Sequence, residues 1–327
     1  MDARSTAGHK QQMPFLPIVH APDYDADFAP DHRFPMGKYT RLMELIRASH
    51  LGERAIVHLP APASAQWLSL AHDRGYVDQV MACKVPAIIE REIGFPVSER
   101  VSLRARLATA GTVMAARLAL SEGIACNTAG GSHHARRAQG AGFCTFNDVA
   151  VAAHLLLADG EVSRVLVIDL DVHQGDGTAS LTAGRDEIFT LSIHAEKNFP
   201  VRKARSTLDI ALPDGTGDAE YLATLADRLP RLLDDFAPDI VLYQAGVDPH
   251  ERDKLGRLSL SDAGLERRDR YVVETVRQRG LPVASALGGG YGEDQREVAA
   301  RHARSMIAMA DANASSQFTR EDAGCST

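Results

Sequence analysis

A chain of 327 residues with 45% hydrophobic and 24% charged side chains is globular, and it can bury a sizeable core as one large domain or two ordinary ones. Its formal net charge of −7 supplies no positive field for a phosphate backbone or an anionic membrane surface, which excludes nucleic acid as an expected partner. The four cysteines, Cys83, Cys126, Cys144 and Cys325, form no CxxC pair, so a disulfide framework and a thiolate metal site are excluded and any metal must use His and carboxylate donors.

Residues 1–12 are polar and lack the apolar stretch of a secretory signal, and no apolar run approaches the length of a bilayer span. A cytoplasmic protein is expected, with residues 1–12 and 313–327 as flexible tails around a single domain over residues 13–312. Amphipathic periodicity predicts helices over Tyr39–Ser49, Ser98–Ser121, Asp218–Phe236, Leu260–Arg279 and Asp294–Ala310. Compact apolar runs predict strands over Ala55–Leu59, Ile124–Asn127, Val165–Leu170, Ile188–Ile193, Ile240–Gln244 and Val283–Leu287, each short enough to be buried on both faces. Strand followed by helix, repeated without an internal repeat or long linker, gives an α/β fold with a doubly wound parallel sheet flanked by helices. Ligands in such sheets bind beyond the carboxyl ends of the strands, so the residues just after each run matter most.

After Ile124–Asn127 comes Gly130-Gly131-Ser132-His133-His134-Ala135, and then Gly140-Ala141-Gly142-Phe143-Cys144-Thr145-Phe146-Asn147-Asp148. Adjacent histidines in a glycine-rich loop can divide proton transfer between them because imidazole titrates near neutrality; a surface pair or two further metal ligands are the alternatives. After Val165–Leu170 the segment Asp169-Leu170-Asp171-Val172-His173-Gln174-Gly175-Asp176-Gly177 places Asp169, Asp171 and His173 on alternate positions, hence on one face of an extended chain. Asp171 and His173 suit zinc, iron or manganese, although a lone Asp-x-His is more often a helix cap beside a core histidine. Asp248, in Ala245-Gly246-Val247-Asp248-Pro249-His250, leaves the same sheet edge and completes a three-ligand, catalytic type of site; alone it would read as a turn residue before proline. Last, Gly288-Gly289-Gly290-Tyr291 sets a phenol where it could hold a developing oxyanion. The glycine run lacks the Lys-Ser/Thr of a phosphate loop and the spacing of a dinucleotide site, which ranks phosphate binding well below.

These five ordered motifs, spread from Phe15 to about Met309, resemble the histone deacetylase superfamily and its arginase/deacetylase-like fold. The resemblance implies a hydrolase that removes an N-acyl group, acetyl or longer, from a lysine side chain of a protein or peptide or from a related acylated amine such as an acetylpolyamine. Asp171, His173 and Asp248 match its zinc ligands, with ferrous iron as the alternative ion in the cell. His133 and His134 match its tandem catalytic histidines, backed by Asp169 and Asp176, and Tyr291 matches its transition-state tyrosine. Gly142, Phe143 and Gly289 match substrate-binding positions. A structural potassium ion is implied at Asp169, Asp171, His173, Ser192 and Ile193. Gln174 stands where many members carry a second histidine, a departure similar to the class IV and bacterial class IV-like branch. The loop His194–Leu208 is expected at the substrate rim. Two other readings are weaker. An arginase-like binuclear manganese ureohydrolase would want another ligand where Gly175 stands, and a silent acyl-amine reader would not need every catalytic position retained.

Overall fold

The structure, a computed structural model, describes residues 15–29 and 32–324. Its strands are β1 (Leu16–Val19), β2 (Ala55–His58), β3 (Ile124–Asn127), β4 (Val165–Asp169), β5 (Ile188–Ala195), β6 (Leu208–Leu212), β7 (Ile240–Gln244) and β8 (Val283–Ala286). They form one sheet in the order β2-β1-β3-β8-β7-β4-β5-β6, with each neighbouring pair parallel. The helices are α1 (Lys38–Ala48), α2 (Ala65–Leu68), α3 (Arg74–Met81), α4 (Ala87–Ile93), α5 (Glu99–Glu122), α6 (Asp148–Ala158), α7 (Asp176–Thr182), α8 (Asp218–Phe236), α9 (Asp262–Gln278) and α10 (Gln295–Gly324). No helix among the described residues is long and apolar enough to cross a membrane.

The central strands show why the sheet is covered on both sides. Along β4, Val165 and Val167 pack in one core layer with Val113 and Ala116 of α5 and Leu156 of α6, whereas Leu166 and Ile168 enter the other layer with Leu225 of α8, Val272 of α9 and Met306 of α10. β7 divides in the same way, with Ile240 and Leu242 on one side and Val241 and Tyr243 on the other. Successive side chains point to opposite faces, so a strand that is apolar throughout needs helices over both.

The ladder also lines up the strand ends. Asp169 of β4 pairs with Gln244 of β7, Gln244 pairs with Ala286 of β8, and Ser285 pairs with Cys126 of β3. The loops that follow β3, β8, β7 and β4 therefore leave one edge as immediate neighbours, although the ends of β3 at Asn127 and β8 at Ala286 are about half the chain apart in sequence.

The expected strands are present and two more join them. β1 and β6 escaped the apolar-run criterion because β1 is four residues long and contains Pro17, and β6 reads Leu-Asp-Ile-Ala-Leu with its outer face exposed. β2 is not buried on both faces: it is an edge strand, and Ile56 and Val57 are each 47% exposed. The short helices α2, α3, α4, α6 and α7 lie outside the five helices expected from periodicity. Cys83, Cys126 and Cys144 are unpaired, and Cys325 lies outside the described residues, as do residues 1–12.

The C-terminal stretch expected as a tail continues α10 to Gly324. Ala312 and Ala314 are buried against the domain, and Arg277 Nε of α9 donates to Asn313 Oδ1 at 2.9 Å. A chain ending at Ala310 is therefore expected to lose about 2–4 kcal/mol of stability through that charged hydrogen bond and the lost apolar contact. A lower urea midpoint with an unchanged slope is the signature; an unchanged midpoint would mean that this last part of α10 adds nothing.

Candidate active site

Asp171 and His173 follow β4, and Asp248 follows β7. Their ligand atoms all lie within 4.8 Å of one another, the one such cluster of His, Cys, Asp or Glu donors found among the described residues. His173 Nδ1 is 3.0 Å from Asp171 Oδ1 and 3.2 Å from Asp248 Oδ2. Backbone donors fix both carboxylates: Asp171 Oδ2 accepts from Gly289 N–H at 2.8 Å, and Asp248 Oδ1 accepts from Val172 N–H at 2.9 Å. The loop after β4 thus holds the carboxylate from the loop after β7, and the loop after β8 holds that of Asp171.

The electrostatics of this trio favour a cation. Burial, followed by the Asp171 charge, pushes Asp248 up to about 7, while burial works against the charge on Asp171 but His133 and His173 hold it well below the usual carboxylate range. Burial likewise opposes a charge on His173, yet Asp171 and Asp248 lift it to about 10. Two buried carboxylates that close repel each other and retain positive charge between them, which is what a divalent ion supplies. Room for it comes from glycine. A Cβ on Gly289 would stand 2.0 Å from Asp248 Oδ2, and one on Gly246 would stand 2.4 Å from Asp171 Oδ2. Gly289, expected at the substrate, backs the donor set and borders the inner cavity described below. The residues present fit a metal with three protein ligands and an open side.

Two histidine–carboxylate dyads face this trio from the loop after β3. His133 Nδ1 is 2.7 Å from Asp169 Oδ2, and His134 Nδ1 is 2.7 Å from Asp176 Oδ1. Their rings lie 4.2 Å apart, centroid to centroid, but they differ in charge. Burial opposes protonation of His133, but Asp169 and Asp171 overcome it and raise His133 to about 9. Burial and then the neighbouring His133 charge lower His134 to about 3 in spite of Asp176. The difference has a structural source. Arg136 donates to Asp176 Oδ2 through Nε at 3.0 Å and Nη2 at 2.8 Å, and so draws off part of that carboxylate's field, whereas His133 Nε2 also approaches Asp171 Oδ1 at 3.7 Å.

An outer cavity of about 460 Å³ opens onto His134, His173 and Tyr291, with Gly142, Phe143, Phe199 and Leu255 as walls. Phe143 adopts φ +66° and Gly142 φ +52°. Their N–H groups donate to Ile93 and Glu92 carbonyls at 2.7 and 2.9 Å, which holds the strained turn and aims the Phe143 ring into the cavity. A Cβ at Gly142 would press on His134 Cδ2 at 2.6 Å. Tyr291 is buried, with its ring centroid 5.7 Å from that of Phe143 and 6.3 Å from that of His173. A second, inner cavity of about 20 Å³ lies past Asp171 and Tyr291, between Phe34, Arg104 and Gly130.

Residues 32–307 match the Histone deacetylase domain family. The chain belongs to the histone deacetylase family. It is 31% identical over 296 residues to histone deacetylase 2 of Arabidopsis thaliana, covering 86% of this chain and 76% of that one. A probable deacetylase of Methanothermobacter thermautotrophicus is 30% identical over 289 residues, covering 84% and 85%. An uncharacterized protein of Picosynechococcus sp. is 42% identical over 287 residues, covering 88% and 96%. The solved HDA15 HD domain superposes with a TM-score of 0.76 at 20% identity over 90% of this chain and 88% of that one, which speaks for the shared fold. The protein is thus a deacetylase-type hydrolase on a single parallel sheet flanked by helices.

Several residues to which no such role was assigned from sequence support this deacetylase site. Gln174 turns away from the donor trio and fastens the rim: its Nε2 donates to Ala204 O at 2.9 Å and Asp209 Oδ1 at 2.7 Å, and its Oε1 accepts from Ala204 N–H at 2.8 Å. Asp148, buried at the start of α6, accepts from Gly131 and Ser132 N–H at 2.9 and 2.7 Å and so sets the loop that carries both histidines. Lys38 Nζ, buried among the rings of Phe34, Tyr39 and Tyr291, donates to Gly288 O at 3.2 Å beside the tyrosine loop. Gly175 allows a close approach: a Cβ there would meet Asp169 Oδ2 at 2.3 Å.

Arg268 lies directly beneath the donor trio. It is fully buried, and its Nη1 donates to Leu170 O at 3.1 Å and Gly246 O at 2.7 Å, carbonyls past the strand ends one residue before Asp171 and two before Asp248. Asp269 Oδ1 balances the charge by accepting from Arg268 Nε at 2.8 Å and from Tyr243 Oη. Replacing Arg268 by methionine leaves Asp269 buried without its counter-ion, and a loss of about 3–5 kcal/mol in urea unfolding is expected. A loss under about 1 kcal/mol, the size seen for exposed pairs, would show that this ion pair is not what joins the two strand ends.

Proposed function

We propose that this family member is a zinc-dependent amidohydrolase that removes an acetyl-sized acyl group from a lysine-type amine. What carries the reading is the convergence, at four adjacent strand ends, of the Asp171–His173–Asp248 trio, two histidine–carboxylate dyads of unequal basicity, and Tyr291.

Zinc on Asp171, His173 and Asp248, once bound, would polarise the amide carbonyl and acidify the attacking water. His134 is held neutral, and its Nδ1–H faces Asp176, so Nε2 presents a lone pair toward the cavity and takes the proton from that water. His133 is held charged by Asp169 and Asp171, and it stabilises the negative charge that builds on the substrate oxygen. The Tyr291 hydroxyl donates to the same oxygen. When the carbon–nitrogen bond breaks, the amine leaves with a proton delivered from the histidine pair. Phe143 and Phe199 flank the apolar stem of the substrate amine in the outer cavity. A structural potassium ion on Asp169, Asp171, His173, Ser192 and Ile193 remains part of the proposal. Asp169 and Ser192 are ladder partners on β4 and β5, which places these segments side by side.

The acyl group points past the trio into the inner cavity. Its volume of about 20 Å³ is little more than one water molecule needs, so an acetyl group suits it and a long chain does not. A binuclear manganese site is disfavoured because Gly175, where a further ligand would be needed, packs against the His133–Asp169 dyad.

Release of acetate from an acetyl-lysine peptide tests the reading. Chelator is expected to abolish turnover, His134→Ala to lower kcat by about 10²–10⁴, and Tyr291→Phe by about 10²–10³. Octanoyl and myristoyl peptides are expected to be turned over far more slowly than acetyl. Full turnover in either variant would remove that residue's role, and a preference for long acyl chains would contradict the acetyl assignment.

A further inference from the structure

The family reading leaves open what kind of molecule carries the acylated amine. The charge around the mouth of the outer cavity bears on that choice. The chain as a whole is acidic at −7, yet the cavity lining includes Arg33, Arg91, Lys197 and Arg257, with Glu92 the one acid. All four cations are exposed. Asp214 offsets part of this charge, since it lies 3.0 Å from Arg257 Nη1 and 4.0 Å from Lys197 Nζ. Arg33 and Arg91 pair with no carboxylate among the described residues. A local excess of positive charge thus stands at the entrance of the site on a protein that is negative as a whole.

We infer that the substrate is an acyl-lysine in an acidic peptide or protein segment, and that polyamines and strongly basic tails are selected against. The inference rests on the deacylase reading above and specifies its substrate class. A lysine side chain reaches the trio through the apolar walls, so the residues on either side of it lie at the mouth. Acidic neighbours there meet Arg33 and Arg91, which have no carboxylate partner among the described residues. An acylated polyamine, by contrast, carries its next ammonium three or four carbons from the scissile nitrogen, and that charge would stand among four cations. Like charges at this distance penalise binding and slow encounter, and opposite charges speed it. Both effects fade with added salt, because the mouth is open to solvent.

The test is steady-state kinetics on three acetyl-lysine peptides that differ only at the adjacent positions, with Glu, Ala or Arg on both sides, plus a mono-acetylated spermidine. Each is measured at about 20 mM and about 500 mM salt, a range over which the screening length shortens from about 20 Å to about 4 Å. Expected is a kcat/KM order of Glu over Ala over Arg, with the outer two separated by on the order of tenfold or more, carried by KM and shrinking at high salt. The Arg33→Glu/Arg91→Glu double variant, checked for a native circular-dichroism spectrum, is expected to reverse the order. Turnover of the Ala peptide reports the deacylase reading independently. If that peptide is hydrolysed while Glu and Arg peptides match it, or while the acetylated polyamine is the best substrate, the inference is overturned and the deacylase reading stands. If no peptide and no polyamine is hydrolysed, both are overturned.

Discussion

Two carboxylates, Asp171 and Asp248, are buried against each other at the ends of β4 and β7, and their mutual repulsion is the constraint around which the site is built. Everything close to them lowers its cost. Main-chain N–H groups of Val172 and Gly289 point at their oxygens, and His173 bridges them. The Arg268 guanidinium holds the Leu170 and Gly246 carbonyls from below, and glycines at 246 and 289 keep side-chain atoms out of the remaining space. A parallel sheet suits this purpose because its register sets both ligand-bearing loops on one edge without any local sequence relation between them.

The division of labour between two adjacent histidines follows from what stands behind each. Asp169 lies in the last position of β4, and its Oδ2 faces His133 Nδ1. Asp176, buried at the start of α7, is shared between His134 and Arg136. Identical side chains one residue apart are therefore shifted in opposite directions, His133 up and His134 down, the arrangement expected of an acid/base pair at work near neutral pH. The same loop is fixed by Asp148, so the spacing of the two rings does not depend on the histidines themselves.

Much of this was legible in the sequence because it is carried by local patterns. Six apolar runs and five amphipathic stretches mark most of the sheet and its larger helices, and the motifs after β3, β4, β7 and β8 name the trio, the dyads and the tyrosine. The remainder depends on tertiary contact. The edge strand β6 alternates rather than running apolar, and β1 is short and holds a proline, so neither stands out as a strand. Asp148 looks like an ordinary helix-start acid, and Gln174 like a mark of the branch alone, until the loops they grip are seen. Arg268 did carry a signal: with Asp269 it falls on the face of α9 marked by Leu265, Val272 and Val276, and a charge on an apolar face needs a buried partner. The mouth charge was invisible because Arg33, Arg91, Lys197 and Arg257 come from separate segments.

The central claim is a single divalent ion held by Asp171, His173 and Asp248. Elemental analysis of the purified protein, coupled to an anomalous difference map at the metal edge, measures it most directly. One zinc per chain, bonded to those three side chains and lost in Asp248→Ala, is the result this account predicts. Two ions per chain, or one bound elsewhere and retained in Asp248→Ala, would contradict it.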